Sequence, residues 1–381
     1  SNNMKYPIGI QDFEDLQRNG YAYVDKTNFV YKLADEGKYY FLSRPRRFGK
    51  SLFLSTLEAY FQGKKELFKG LAIYDLETEW KKYPIFHIDL NTANFREKDS
   101  LYTVLNDYLT NWEDKYGARE SEATLALRFK GVIARAAEKE GCGVVILIDE
   151  YDKPILQTLR DPELQAEHRA QLKAFYSVLK TQDRYIKFAF LTGVTKFGKV
   201  SVFSDLNNLT DISMDHRYIS ICGMTEKELL TNFKEGISEL ASANEDNETE
   251  TIDKLRMRYS GYHFEENSEE IYNPFSVLNT LANSRYDDYW FKANTHTFLI
   301  DILKKHDYCI TDLNKAQVKV NMMNNVDSNP IPVIYQSGYL TIKSYDERFK
   351  NYQLGIPNKE VEESIRNIFS PFISKRRKTD C

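Results

Sequence analysis

Two kinds of hydrophobic pattern alternate along the first 220 or so positions of the chain. Short, nearly continuous apolar runs at residues 40–43, 84–90, 144–149, 186–192 and 218–222 read as strands buried on both faces. Between them lie longer segments whose apolar residues recur every three or four positions, as in amphipathic helices. Alternation of this kind predicts an α/β fold, a parallel sheet covered by helices on both sides. From about Met224 the pattern turns helical, and Thr225 followed by Glu228 predicts a capping box at the first of these helices. Residues 242–250, polar and without period, read as a surface loop. Further on, residues 339–345 and 351–356 alternate around a polar turn like a hairpin, and Pro357-Asn358 opens another helix. Helices followed by a hairpin predict a winged-helix-like module.

At 381 residues the chain exceeds what one core usually serves. The expected division is a core over 1–223, a helical lid over 224–300 and the winged-helix-like module over 301–381. A formal net charge of −4 excludes a uniformly basic nucleic-acid binder but leaves local basic patches open. No apolar run approaches membrane-spanning length and no signal-type leader is visible, so a soluble, cytoplasmic protein is expected. Cys142, Cys222, Cys309 and Cys381 are widely separated, which reads as four free thiols. None of the six histidines has metal-ligand spacing.

The candidate chemistry begins where the first run meets a helix: Ser43-Arg44-Pro45-Arg46-Arg47-Phe48-Gly49-Lys50-Ser51. The ending Gly-Lys-Ser, between a strand and a helix, matches the phosphate loop G-x-x-x-x-G-K-[ST]. There backbone N–H groups wrap phosphates, the Lys reaches the terminal phosphates and the hydroxyl meets Mg²⁺. Arg44 stands at the first glycine position, so either the loop has another shape that cradles phosphate or binding is weakened. Three arginines in the loop can supply anion contacts. The expected nucleotide contacts are Arg44, Arg46, Arg47, Phe48, Gly49, Lys50, Ser51 and Leu52. Beyond the loop, Phe53, Leu57, Tyr60 and Phe61 form the face that packs on the sheet.

A second signal is the apolar run 144–148 ending in Asp149-Glu150. Alone it is common; after a Gly-Lys-Ser loop it matches the Walker B element, with Asp149 and Ser51 expected on Mg²⁺ and Glu150 on the attacking water. An intervening strand at 84–90 places the pattern with P-loop NTPases of the additional-strand, catalytic-glutamate branch, which predicts strand order 5-1-4-3-2. The fourth strand then ends at the γ-phosphate, with Thr192 as the leading sensor candidate and Thr195 and Lys196 behind it. Asp152 reads equally as a shell residue or a cap. Arg217 reads as a surface salt bridge, and the basic residues 375–378 as a solvated end. Lys50, Glu150 and Thr192 are the expected catalytic set.

These motifs, with Tyr6-Pro7-Ile8-Gly9, Tyr23-Val24-Asp25-Lys26-Thr27, Asp149-Glu150-Tyr151-Asp152, Leu191-Thr192-Gly193-Val194-Thr195-Lys196-Phe197, Gly261-Tyr262-His263-Phe264, Tyr272-Asn273-Pro274-Phe275-Ser276 and Gln336-Ser337-Gly338-Tyr339-Leu340, resemble the bacterial AAA-ATPase-like family. The resemblance runs over nearly the whole chain. It implies ATP and Mg²⁺ as cofactors, and a loop in which Arg-Pro-Arg-Arg is usual. It also implies a PD-(D/E)XK nuclease-like domain after about Ser374. The Glu-x-Lys triplets at 79–81 and 113–115 lie in helical-looking surroundings, so no nuclease site is expected within this chain. Expected activity is ATP binding and hydrolysis driving a switch on an attached or partner effector. A nucleotide-sensing scaffold with little turnover, with or without nucleic-acid contact, is the alternative, and oligomerisation is left open.

Overall fold

The computed structural model describes residues 4–324, 326 and 328–375. Its centre is a five-stranded parallel sheet of β1 (Tyr39–Ser43), β2 (Ile85–Asp89), β3 (Val144–Asp149), β4 (Ile186–Gly193) and β5 (Thr210–Asp211), in the order β2-β3-β4-β1-β5. Counted from the β5 edge this is 5-1-4-3-2, but the strand in fifth place is not the expected one. Residues 218–222 form no strand: Tyr218 closes a 3-10 turn, His216–Tyr218, and Ile221 and Cys222 are buried in a turn beyond it. A short apolar run records burial, and burial alone does not separate a strand from a packed turn. The true edge strand is two residues long and polar, with Thr210 exposed and Asp211 paired with Lys196 and Lys199.

Both faces of the sheet are packed, which explains the near-continuous apolar runs. Tyr39, Phe41, Ile146, Ile148 and Leu191 point into one cluster, while Tyr40, Leu42, Val145, Leu147 and Phe190 point into the other, with the period of two that a pleated strand imposes. Helix Lys50–Phe61 covers the second face with Phe53, Leu54, Leu57 and Phe61. Helices Ser100–Tyr116, Leu125–Glu140 and Pro162–Tyr176 contribute to the first. The first cluster also continues into Leu299, Ile334, Leu354 and Val361, so the C-terminal part shares the core of the sheet.

Helices between Glu226 and Asn283 enclose a third cluster around Leu229, Phe233, Leu240 and Tyr259, against which Met4, Tyr6, Ala22 and Val24 pack. The Thr225–Glu228 capping box is present. The expected loop at 242–250 is mostly helix: one helix ends at Ala243, and Asn247 with Glu250 forms a capping box that starts the next at Glu248. Its polar residues are helix-start residues, which a pattern of apolar positions does not register. The predicted hairpin exists as antiparallel β7 (Thr341–Asp346) and β8 (Asn351–Gly355), with β6 (Gln317–Lys319) as a third strand on β8. Asn358 Oδ1 accepts the Val361 N–H at 3.1 Å as helix Lys359–Lys375 begins.

Glu113-Asp114-Lys115 lies in a helix, and residues 79–81 lie in the loop before β2, not in helical surroundings. Cys142 and Cys222 are free thiols; Cys309 is disulfide-bonded, against expectation, and Cys381 lies outside the described residues. So does the basic tail from Arg376. Among the described residues no helix is long and apolar enough to cross a membrane.

Candidate functional site

In a parallel sheet all strands end on one edge, and there the register sets Ser43 beside Gly193 and Asp149 beside Asp89. Residues 44–49 leave β1 at that edge and enter helix Lys50–Phe61, whose N-terminus presents unpaired N–H groups and the positive end of its dipole. Arg47 (φ +62°) and Gly49 (φ +101°) take left-handed backbone, which costs nothing at the glycine and is strained at the arginine.

Arg44 serves the turn without lining the cavity. Its N–H continues the ladder to the Gly193 carbonyl at 3.2 Å. The guanidinium turns back into the protein, donating to the carbonyls of Ser43 at 3.0 Å, Ser213 at 2.6 Å and Tyr218 at 3.5 Å, and stacks 3.9 Å from the Phe264 ring. Burial lowers its pKa. The side chain therefore fixes from behind a turn that glycine would make permissible, but not fix.

Lys50 is buried at the head of the helix. Its Nζ donates to the carbonyls of Arg44 at 2.8 Å and Pro45 at 3.0 Å, and lies 3.1 Å from Glu150 Oε1. The Ser51 hydroxyl donates to Asp149 Oδ2 at 2.5 Å, and the Thr192 hydroxyl donates to Asp149 Oδ1 at 2.8 Å. Thr192 Oγ1 also accepts the Glu150 N–H at 3.3 Å, helping to hold Glu150 in left-handed backbone at φ +57°. Burial first, then the charge of Glu150, pushes the Asp149 carboxyl up to about 6. Lys50, Ser51, Asp149, Glu150 and Thr192 are thus one connected set, assembled from the start of helix Lys50–Phe61 and the ends of β3 and β4.

The hydroxyl of Ser51 and the carboxylate of Asp149 are hard oxygen donors converging on one point. That suits Mg²⁺, which keeps few protein ligands and fills its octahedron with water and phosphate. No group of three or more His, Cys, Asp or Glu among the described residues forms a metal cage of its own.

The weaker candidates lie elsewhere. Asp152, wholly buried, accepts from the Thr195 N–H at 2.7 Å and hydroxyl at 2.8 Å and from the Val194 N–H at 3.3 Å. It therefore shapes the turn after β4, and burial raises its pKa to about 7. Lys196 pairs with Asp211 at 2.9 Å and Asn324 at 2.8 Å, on the far side of the loop. Arg217 is an exposed partner of Asp215 at 2.8 Å.

A cavity of about 900 Å³ opens above the loop. Arg46, Arg47, Phe48, Gly49, Lys50, Ser51, Leu52 and Glu150 line it; Arg44 does not. Its lining is mixed, with apolar Ile10, Val24, Phe233 and Leu278 and polar Asn91, Arg96, Lys153 and Arg160. Sequence reasoning assigned no role to Asn91 or Lys153. The Asn91 amide reaches Asp149 Oδ2 at 3.4 Å, and Lys153 donates to the Asn91 carbonyl. Asn91 directly follows the second apolar run, so strand-end position was the signal available.

The five-stranded parallel sheet, with residues 44–49 joining β1 to a helix at its carboxyl edge, is consistent with a P-loop-like α/β fold. A model of the AAA-ATPase-like family, described as predicted AAA-ATPase, matches residues 7–203. A protein of Azotobacter chroococcum mcd 1, described as an uncharacterized protein in the vnfD 5' region, is 38% identical over 367 residues, covering 95% of this chain and 69% of that protein. The chain belongs to the AAA-ATPase-like family, a membership that supports ATP binding.

Proposed function

We propose that the protein binds ATP with Mg²⁺ in the cavity above residues 44–51 and hydrolyses it to drive a conformational switch. The observation that carries this reading is the connected set Ser51–Asp149–Thr192, with Lys50 and Glu150 paired beside it. Lys50 would neutralise β- and γ-phosphate oxygens, and Ser51 and Asp149 would hold the metal. Glu150 would orient the attacking water and Thr192 would sense the γ-phosphate. The cavity also touches Phe233, Phe275 and Leu278, so nucleotide would contact the proposed lid over 224–300 as well as the core over 1–223. Lid movement would then be passed to the module over 301–381 and to an attached or partner effector. Thermal shift with and without Mg-ATP, joined to titration with a fluorescent ATP analogue, tests the binding. Absence of both stabilisation and saturable binding would refute it.

One observation favours the second reading, a nucleotide sensor that turns over little. Lys50 is held by its own loop carbonyls and by Glu150, the group that should act on water. Steady-state phosphate release separates the two, since many turnovers support hydrolysis and fewer than one per binding event supports sensing.

A further inference from the structure

We infer that Trp290 is a positioning residue of the phosphate loop, holding the loop through the Arg46 carbonyl and joining it to the helix Lys359–Lys375. The inference rests on the reading of residues 44–51 as a phosphate loop.

Three consecutive loop residues each touch something far along the chain. Arg46 O accepts the indole N–H of Trp290 at 2.7 Å, across 244 positions of sequence. The Arg47 guanidinium lies 4.8 Å from the Phe275 ring. Pro45 packs against Gly338, whose φ is +93° and where a Cβ would come 2.9 Å from Pro45 Cβ and 3.3 Å from Trp290 Cζ2. Gly223 adds an N–H to the Phe48 carbonyl at 2.9 Å. Carbonyls of the loop are thereby drawn toward fixed donors, which leaves its N–H groups free for an anion.

Trp290 is itself fixed. It is 1% exposed, and its backbone N–H is received by Glu360 Oε2 and Ser276 Oγ, each at 3.0 Å. The Ser276 hydroxyl in turn donates to Glu360 at 2.9 Å. Glu360, in the first turn of helix Lys359–Lys375, is wholly buried. A continuous path of direct contacts therefore runs from the Arg46 carbonyl through one indole to the start of that helix. A loop without its first glycine has a shape set by such outside contacts, so any change of loop shape on nucleotide binding must move or strain the indole.

The test uses the whole chain and the variant Trp290→Phe, which keeps a ring and loses the N–H. In nucleotide-free protein, exchange of the Gly223 and Phe53 amides, which donate to the loop carbonyls of Phe48 and Gly49, should quicken about five- to tenfold, the factor a single hydrogen bond commands, while β3 amides stay unchanged. The indole ¹H–¹⁵N signal missing from the variant identifies Trp290 in the native protein, and it should shift on saturation with a non-hydrolysable Mg-ATP analogue. Exchange of the Gly223 and Phe53 amides as slow in a folded variant as in the native protein would overturn the inference. So would an indole signal unmoved by saturating analogue. If the variant does not fold, Gly338→Ala pushes on Pro45 from the other side and should quicken the same amides. A native protein that binds no nucleotide refutes the proposed function, while the exchange comparison still decides the role of Trp290.

Discussion

Glu150→Gln removes the carboxylate that competes with phosphate for Lys50. The two groups lie 3.1 Å apart, both nearly out of water. Bare attraction at that separation is about 5 kcal/mol for an effective dielectric constant of 20. Desolvation of both charges cancels most of it. A net release of about 1 to 2 kcal/mol on neutralising Glu150 corresponds to about five- to thirtyfold tighter binding of Mg-ATP. Glutamine keeps the shape and can still bond to Lys50, but it cannot take a proton from water, so turnover should fall by about a hundredfold or more. Titration with a fluorescent ATP analogue reads the first effect and steady-state phosphate release the second. A variant that binds more weakly than the native protein would refute the competition argument, and one that turns over at the native rate would remove Glu150 from the chemistry.

Three further outcomes follow from the same geometry. Ser51→Ala should abolish the Mg²⁺-dependent part of nucleotide affinity while leaving binding without metal nearly unchanged, measured by titration with Mg²⁺ and with EDTA; equal metal dependence in both proteins would exclude Ser51 as a ligand. Arg44→Ala leaves the Ser213 and Tyr218 carbonyls without their donor and a space beneath Phe264, so urea unfolding should show a loss of about 3 kcal/mol; an unchanged midpoint would contradict its anchoring role. Burial raises the Glu360 carboxyl to about 8, above the ordinary value of 4.5, so the folded state holds its proton more tightly than the unfolded one. This contribution is complete below about pH 4.5 and is lost as pH rises toward 8, a fall on the order of 4 to 5 kcal/mol that Glu360→Gln should remove. Urea unfolding from pH 5 to pH 9 checks it, and a native slope no steeper than the variant's would refute it.

How much of the site was legible follows from how each residue earns its place. Lys50, Ser51 and Asp149-Glu150 were visible because they sit at strand ends in a fixed local order, and the structure brings them together. Arg44 was assigned a phosphate contact by its neighbours in sequence, whereas its guanidinium turns inward to carbonyls contributed by residues 213 and 218. Thr195 and Lys196, three and four positions beyond Thr192, bind Asp152 and Asp211, whereas Thr192 meets Asp149. Trp290 carried no signal at all, since a lone tryptophan in a helical segment reads as core.

The sequence by itself determined the local order of strand, loop and helix, the two carboxylates and the alternation of buried faces, because these depend on residues within a few positions of one another. Tertiary structure alone decided which strand lies at the sheet edge, where Arg44 points, what closes the cavity and which donor holds the Arg46 carbonyl. Each of those contacts joins positions far apart in the chain, and a hydrogen bond or a packed ring is chosen by distance in space, which no local pattern of polar and apolar residues encodes.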